Sequence, residues 1–291
     1  MKTEAYAKVN LTLEVFGVRG DGYHALRSIV APISLSDIIE IGPAKEISSD
    51  TGYPDDLVLK AARVLAGALE ADGRQPASGA SIHVEKRIPV GGGLGGGSAD
   101  AAAVLLALNE FWGLGRSPEE LAEIGAQVGS DVPALVLAQH YRSSVVMEGR
   151  GEKVSLVEQD GRTLEPLNLV LVNPGVHTST REVYARSAGR GEDSPSATDR
   201  CREALETGEI GIISGTFVND LEPAALALHP EIADAMAALR SEGAQGVTMS
   251  GSGSTAFGLV ESHSRAQEIA LALRERGLGA WAVHTLAQNM V

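Results

Sequence analysis

The chain has 291 residues, 44% of them hydrophobic, which is enough for one large or two ordinary domains around a packed core. Its 24 Lys plus Arg stand against 38 Asp plus Glu, a net charge of −14 that repels nucleic acid and anionic lipid and argues against either as a partner. The single cysteine, Cys201, excludes an internal disulfide and a cysteine-based metal site. With no signal-peptide core behind Met1 and no apolar run near about eighteen residues, the sequence reads as cytoplasmic, with no membrane partner.

Over residues 5–15, Ala7, Val9, Leu11, Leu13 and Val15 share one parity and Lys8, Asn10, Thr12 and Glu14 the other. This period of two predicts a half-buried strand whose polar face meets solvent. Gly20, Asp21 and Gly22 supply a tight turn, placing Tyr23 and His24 just before a second apolar run over 26–35, so a hairpin is expected. Residues 42–56 are polar and turn-rich. Leu57, Ala61, Val64, Leu65 and Ala68 then share one side of a helix over 57–69, and alternation returns over 81–88 as a strand.

That strand feeds Gly91, Gly92, Gly93, Leu94, Gly95, Gly96 and Gly97, six glycines in seven positions, followed by Ser98 and an alanine-rich helical run. Without Cβ atoms, successive amides can turn inward and an anion can approach the main chain, while the helix behind adds its positive end. The pattern predicts a phosphate cradle. A dinucleotide fingerprint through Gly91, Gly93 and Gly96 is disfavoured, because about twenty positions on the sequence starts a helix instead of closing a strand with an acidic residue. The P-loop reading fails because Gly97 stands where lysine belongs. A plain strand-to-helix turn with no ligand is the alternative. Lys8, Lys86 and Arg87 are the nearest sources of positive charge for an anion.

Val104, Leu105, Leu108, Phe111 and Trp112 form a buried helical stripe, so these aromatics belong to the core. Ser117 as cap, Pro118 at the first helical position and Glu120 three after the cap predict a helix running to about residue 128. Gly129, Ser130, Asp131, Val132 and Pro133 lead into a further helix over 134–138, where Asp131 is either a plain N-cap or a working carboxylate. Turn residues over 149–166 mark a boundary between units 1–155 and 156–291. A strand begins at 170–172, and 187–199 reads as a mobile surface loop. Helices over 231–239 and 264–276 flank strands over 246–249 and 255–260, joined by the Ser/Gly turn 250–254, which suggests a small α+β sandwich.

Taken together, Ala7 to Leu11, Asp21 to His24, Pro89 to Asp100, Gly129 to Pro133 and Met249 to Gly253 resemble the GHMP kinase superfamily, in the right order across nearly the whole chain. The resemblance implies an α+β GHMP kinase fold: an N-terminal domain like the second domain of ribosomal protein S5, a C-terminal ferredoxin-like domain, and a site in the cleft between them. It implies that Pro89, Gly91, Gly92, Gly93, Leu94, Gly95, Gly96, Gly97 and Ser98 bind ATP, with Mg²⁺ bridging the phosphates and no dedicated protein metal site. Asp131 becomes the catalytic carboxylate with Lys8 beside it. Asn10, Tyr23, His24, Thr180 and Tyr184 hold a small-molecule acceptor, a cytidine diphosphate-linked polyol whose base stacks on Tyr23. Gly20, Asp56 and Ala99 depart from the usual proline, asparagine and serine, and residues 134–141 lack the usual aromatic and glycine signature. Two other readings stay open: a homoserine or mevalonate kinase of the same superfamily, and a nucleotide-binding regulator that has lost its chemistry. Oligomeric state is left open.

Overall fold

A computed structural model of the chain describes residues 1–18, 20, 24–52, 56–73, 76, 78–157, 164–189 and 196–287. Asp21, Gly22 and Tyr23, and residues 190–195 of the expected surface loop, lie outside them.

The first sheet is built on two long strands, β1 (Lys2–Val18) and β2 (His24–Ala44), paired antiparallel from Lys2 opposite Glu40 to Val18 opposite His24. A two-residue strand, β3 (Ser48–Ser49), lies parallel to β4 (Gly79–Glu85), which pairs with β2. Between them runs α1 (Leu57–Ala71). The glycine-rich segment leads into α2 (Gly96–Phe111), followed by α3 (Pro118–Gly125) and α4 (Val132–Tyr141). The hairpin of β5 (Val145–Gly149) and β6 (Lys153–Leu156) returns to β2. Apolar faces of α1, α2 and α4 cover one side of the sheet, with Leu65, Leu105, Leu108 and Leu135 fully buried.

The second half adds β7 (Asn168–Asn173), α5 (Thr180–Arg186), α6 (Ala197–Thr207), α7 (Ile210–Ser214), β8 (Val218–Asn219), α8 (Glu222–Leu228), α9 (Glu231–Ser241), β9 (Gln245–Met249), β10 (Ala256–Val260), α10 (His263–Glu275) and β11 (Gly279–His284). Four of these strands form an antiparallel sheet in the order β11-β7-β10-β9, with α9 and α10 packed on it, which is the ferredoxin-like arrangement. The halves interlock. Strand β8 pairs parallel with β1 in the first sheet, and Ile33 bridges Thr285.

The expected solvent-facing side of β1 is corrected by the structure. Lys8 and Asn10 are 4% and 2% exposed, and Thr12 and Glu14 are fully buried. Their cover comes from distant sequence: Thr12 shares a 2.9 Å hydroxyl contact with Thr198, and Glu14 accepts from the Ala197 and Thr198 amides at 2.9 and 3.0 Å. Where a turn-rich boundary is read at 149–166, the chain still forms β6, an edge strand of four residues too short to register as alternation. The capping box appears as predicted, with the Glu120 amide donating to Ser117 Oγ at 3.2 Å and the Ser117 amide to Glu120 Oε2 at 2.7 Å. Among the described residues no helix is long and apolar enough to cross a membrane.

Candidate active site

A cavity of about 770 Å³ opens between the halves, lined by the glycine loop, Lys8, Asp131, Thr180 and Tyr184. Gly91, Gly93 and Gly95 have φ of 70°, 76° and 69°, so every second residue of the loop is left-handed, a conformation that favours glycine. Three consecutive carbonyls of the loop are held by the protein. Gly92 O accepts from the Thr255 amide, Gly93 O from Lys8 Nζ and Ser250 Oγ, and Leu94 O from the Lys8 amide, all at 3.0 Å. Because a trans peptide points its N–H opposite to its C=O, the amides of Gly93, Leu94 and Gly95 face away from these partners. Gly95 caps α2 without a side-chain bond, so the first-turn amides of Gly96, Gly97 and Ser98 have no acceptor within the helix. A run of N–H donors ahead of a helix dipole is an anion site.

The glycines do more than admit a ligand. A Cβ at Gly93 would lie 2.1 Å from Ser250 O, and one at Gly92 within 2.8 Å of Asn173 Nδ2 and Thr255 Oγ1. One at Gly91 would overlap His177. These glycines are needed for the second half of the chain to close on the loop. At Gly97, by contrast, a Cβ meets only Leu57 Cδ1 at 3.6 Å, an ordinary contact.

Lys8 Nζ donates to Asn10 Oδ1 at 2.6 Å and stands 3.8 Å from Asp131 Oδ2. Register shifts in the β1–β2 ladder on either side of Lys8 and Asn10 aim both side chains at this junction. Burial pulls the Lys8 ammonium below the ordinary lysine value, and the Asp131 carboxylate opposes that pull. Asp131 precedes α4 but makes no side-chain cap bond, so its carboxylate is not used to hold the helix. Asn10 is enclosed: its amide donates to Ser28 Oγ at 2.8 Å and its carbonyl holds Lys8. Asn10 lines the cavity as well, so the same side chain that holds Lys8 borders the space expected for the acceptor.

Of the other expected positions, Thr180 and Tyr184 line the cavity, and Thr180 Oγ1 shares a 2.8 Å contact with Ser252 Oγ. Burial, with Asp131 adding to it, raises the Tyr184 hydroxyl's pKa, so Tyr184 stays neutral. His24 lies 5.7 Å from the Tyr184 ring, with Nδ1 3.1 Å from Phe16 O, and is not among the lining residues. Pro89 and Ser98 line the cavity, whereas Tyr23 lies outside the described residues. The expected positive charge is differently placed. Arg87 pairs with Glu85 at the surface, and Lys86 lines the cavity but is engaged by buried Asp37 and, at 2.7 Å, by Asp100. Burial raises Asp100 to about 7 against the pull of Lys86, and its Oδ1 has no hydrogen-bond partner among the described residues.

Sequence reasoning assigned no role to Ser250 or Asn219. Ser250 Oγ accepts from the Asn10 amide at 3.3 Å and donates to Gly93 O, and Asn219 Nδ2 holds Met249 O and Gly251 O at 2.7 and 2.8 Å. A Ser/Gly turn looks the same at any hairpin tip, so local composition carries no signal for this clamp.

Residues 56–139 match the GHMP kinases N terminal domain and residues 201–278 match GHMP kinases C terminal. The 4-diphosphocytidyl-2-C-methyl-D-erythritol kinase of Bacillus cytotoxicus is 37% identical over 294 residues, covering 98% of this chain and 97% of that one. The chain belongs to the GHMP kinase family. A kinase of the same name from Symbiobacterium thermophilum is also 37% identical, covering 98% of this chain and all of its own. A crystal structure of 4-(cytidine 5'-diphospho)-2C-methyl-D-erythritol kinase superposes with a TM-score of 0.80 at 37% identity, covering 98% of this chain and 99% of the other. Homoserine kinase from Cytophaga hutchinsonii shares the GHMP kinase fold at a TM-score of 0.71 and 19% identity, over 99% of this chain and 95% of that one.

As a kinase the chain uses ATP, and the donor set can be tested for the metal that accompanies it. Among the described residues no three His, Cys, Asp or Glu side chains group to hold a metal. Mg²⁺ keeps several waters and binds through one or two protein oxygens plus substrate phosphates. The Ser98 hydroxyl is a hard oxygen donor lining the cavity, so it fits a Mg²⁺ carried chiefly by the triphosphate.

Proposed function

We propose that the chain transfers the γ-phosphoryl group of ATP to the 2-hydroxyl of 4-diphosphocytidyl-2-C-methyl-D-erythritol in the non-mevalonate isoprenoid route, giving the 2-phosphate and ADP. The observation that carries this reading is the Lys8–Asp131 pair, 3.8 Å apart, at the glycine-loop end of the cavity. A binding protein needs the loop but has no use for that pair.

Phosphoryl transfer passes through a loose transition state, so the protein positions an in-line alcohol and spreads charge. Amides of residues 93–98 hold the donor phosphates, with residues 1–155 supplying this half of the site and 156–291 closing it. Asp131 accepts the hydroxyl proton as the alcohol oxygen bonds to phosphorus and the bond to the ADP oxygen breaks. Lys8, oriented by Asn10 and Gly93 O, keeps Asp131 ionised and polarises the alcohol. General-base placement of this kind contributes roughly 10²- to 10⁴-fold. Ser98 would help to hold Mg²⁺ beside the phosphates, where the metal would supply positive charge to the phosphate oxygens. Tyr184 and His24, with Tyr23, receive the cytidine end, and Thr180 bounds the acceptor. The protein works in the cytoplasm on this small molecule, without nucleic acid or membrane.

The test is an acceptor panel with Mg-ATP, read as ADP release. The diphosphocytidyl substrate should be turned over at least tenfold better in kcat/KM than homoserine or mevalonate. Preference for either of the others would reassign the substrate, and ATP binding with no acceptor-dependent ADP would make the chain a regulator.

A further inference from the structure

Helix α4 begins beside Asp131 in the cleft and ends at Arg142, whose φ of 49° and ψ of 44° are left-handed. Among the described residues every other positive-φ position is glycine. Glycine is the ordinary residue at such a helix end, and a side chain there is strained. The strain is not offset by pairing. Among the described residues the Arg142 guanidinium forms no ion pair, its Nη1 reaches Tyr6 Oη only at 3.4 Å, and its Nε is buried with no hydrogen-bond partner. The group is held by packing, with Cζ 5.4 Å from the centroid of the Tyr6 ring.

Arg142 lines a second cavity of about 420 Å³, separate from the cleft, together with Lys2, Glu4, Tyr6, Leu106 and His140. The acidic groups nearby have other hydrogen-bonding partners, and the Glu4 carboxyl, its pKa lowered first by its bond from Tyr6, also feels the Arg142 charge. Glu4 accepts from Tyr6 Oη at 2.5 Å and Ser36 Oγ at 2.8 Å, and Glu40 pairs with Lys2 at 2.8 Å. A strained residue with unmet polar capacity at the wall of a cavity is the pattern of a ligand site, because native chains rarely retain either feature without use. On a chain of net charge −14, a guanidinium with no ion pair among the described residues, in a cavity also lined by an imidazole, stands out electrostatically.

We propose that this cavity is a second binding site, for the phosphate of a small phosphorylated molecule. The guanidinium of Arg142, whose Nη1 holds only the long contact to Tyr6 Oη, supplies donors for the phosphate oxygens, His140 and the Glu40-paired Lys2 line the same cavity, and the Tyr6 ring and Leu106 give an apolar wall for the rest of the ligand. The inference does not depend on the activity assigned to the cleft. The two sites do share framework: Gln139 of α4 accepts from the Tyr6 amide at 3.3 Å and donates to Ala99 O of α2 at 3.1 Å.

The test titrates inorganic phosphate into the full chain with saturating ADP present, so that the glycine loop is occupied, using calorimetry and thermal unfolding. Acetate serves as the carboxylate arm and chloride as the ionic-strength control. Saturable phosphate binding that chloride does not reproduce is expected. Arg142→Gly should weaken it roughly tenfold or more, while melting no lower than wild type, since glycine adopts the left-handed conformation freely. Arg142→Lys should retain part of the affinity. Equal phosphate affinity in Arg142→Gly, absence of saturable phosphate binding in the wild type, or tighter binding of acetate than phosphate would each overturn the proposal.

Discussion

Asp131 shows how one side chain can be judged by what it does not do. It stands where a capping aspartate belongs, yet α4 starts without its help, with Pro133 in its first turn. Asp131→Asn should therefore lower turnover by about 10²-fold or more while nucleotide affinity stays within about threefold. Acceptor-dependent ADP release and nucleotide titration check this, and wild-type turnover in the variant would remove Asp131 from the chemistry. The glycines divide the same way. Gly93→Ala should cost about 3 kcal/mol or more, because its Cβ meets Ser250 O at 2.1 Å on a left-handed backbone. Gly97→Ala should leave the fold intact, gain about 0.5–1 kcal/mol of helix stability and weaken ATP binding where the phosphates crowd that face. Denaturant unfolding and nucleotide titration separate the two, and unchanged ATP affinity in Gly97→Ala would move the phosphates off that turn.

Asp100 offers a residue-scale test by pH. Its folded pKa, raised by burial to about 7, exceeds the unfolded value, so the folded chain holds more protons between about pH 4 and 7 and its stability falls as pH rises through that window. Asp100→Asn removes this slope. The variant's melting temperature relative to wild type should be higher at about pH 8 than at about pH 5, and a difference constant with pH would contradict the assignment. Lys8, Asn10 and Asp131 were legible in the sequence through their motifs. The pairing of Lys86 with Asp37 and Asp100 was not, since those three residues belong to different elements and their meeting depends on packing.

At the scale of elements, locality decides what could be read. The Ser117 capping box is written within a few residues and appears as expected, whereas the stripe expected on α2 is part of a wider burial that includes Ala99 to Leu105 and leaves Phe111 half-buried. The polar face of β1 could not be assigned from its own residues, because alternation reports which face is apolar but not what covers the other. Glu14 is fully buried because it caps α6, more than 180 positions later, with Ser196 Oγ at 3.2 Å joining the two amides. Glu14→Ala should leave those amides buried without an acceptor and cost about 2–4 kcal/mol. Urea unfolding measures it, and a loss below about 0.5 kcal/mol would mean that α6 caps itself through Ser196.

The whole molecule is two sheets that need each other. Strand β8 pairs with β1 in the first sheet, and the Ser/Gly turn clamps Gly93 O, so contacts from the second half hold the glycine loop in its shape. The sequence carried the motifs of each half in order but not this dependence, which arises from contacts across more than 150 positions. Global charge is a poor guide to this site. On the proposed reading a chain of −14 hosts a polyanion because main-chain amides supply the field locally, while Lys8 and Lys86 serve carboxylates. A crystal structure with a non-hydrolysable ATP analogue and the diphosphocytidyl acceptor tests that claim most directly. It should place the terminal phosphates within hydrogen-bonding distance of amides among residues 93–98, with the acceptor hydroxyl within about 3.2 Å of an Asp131 oxygen. Phosphates held away from that loop by lysine or arginine side chains, or a hydroxyl out of reach of Asp131, would contradict it.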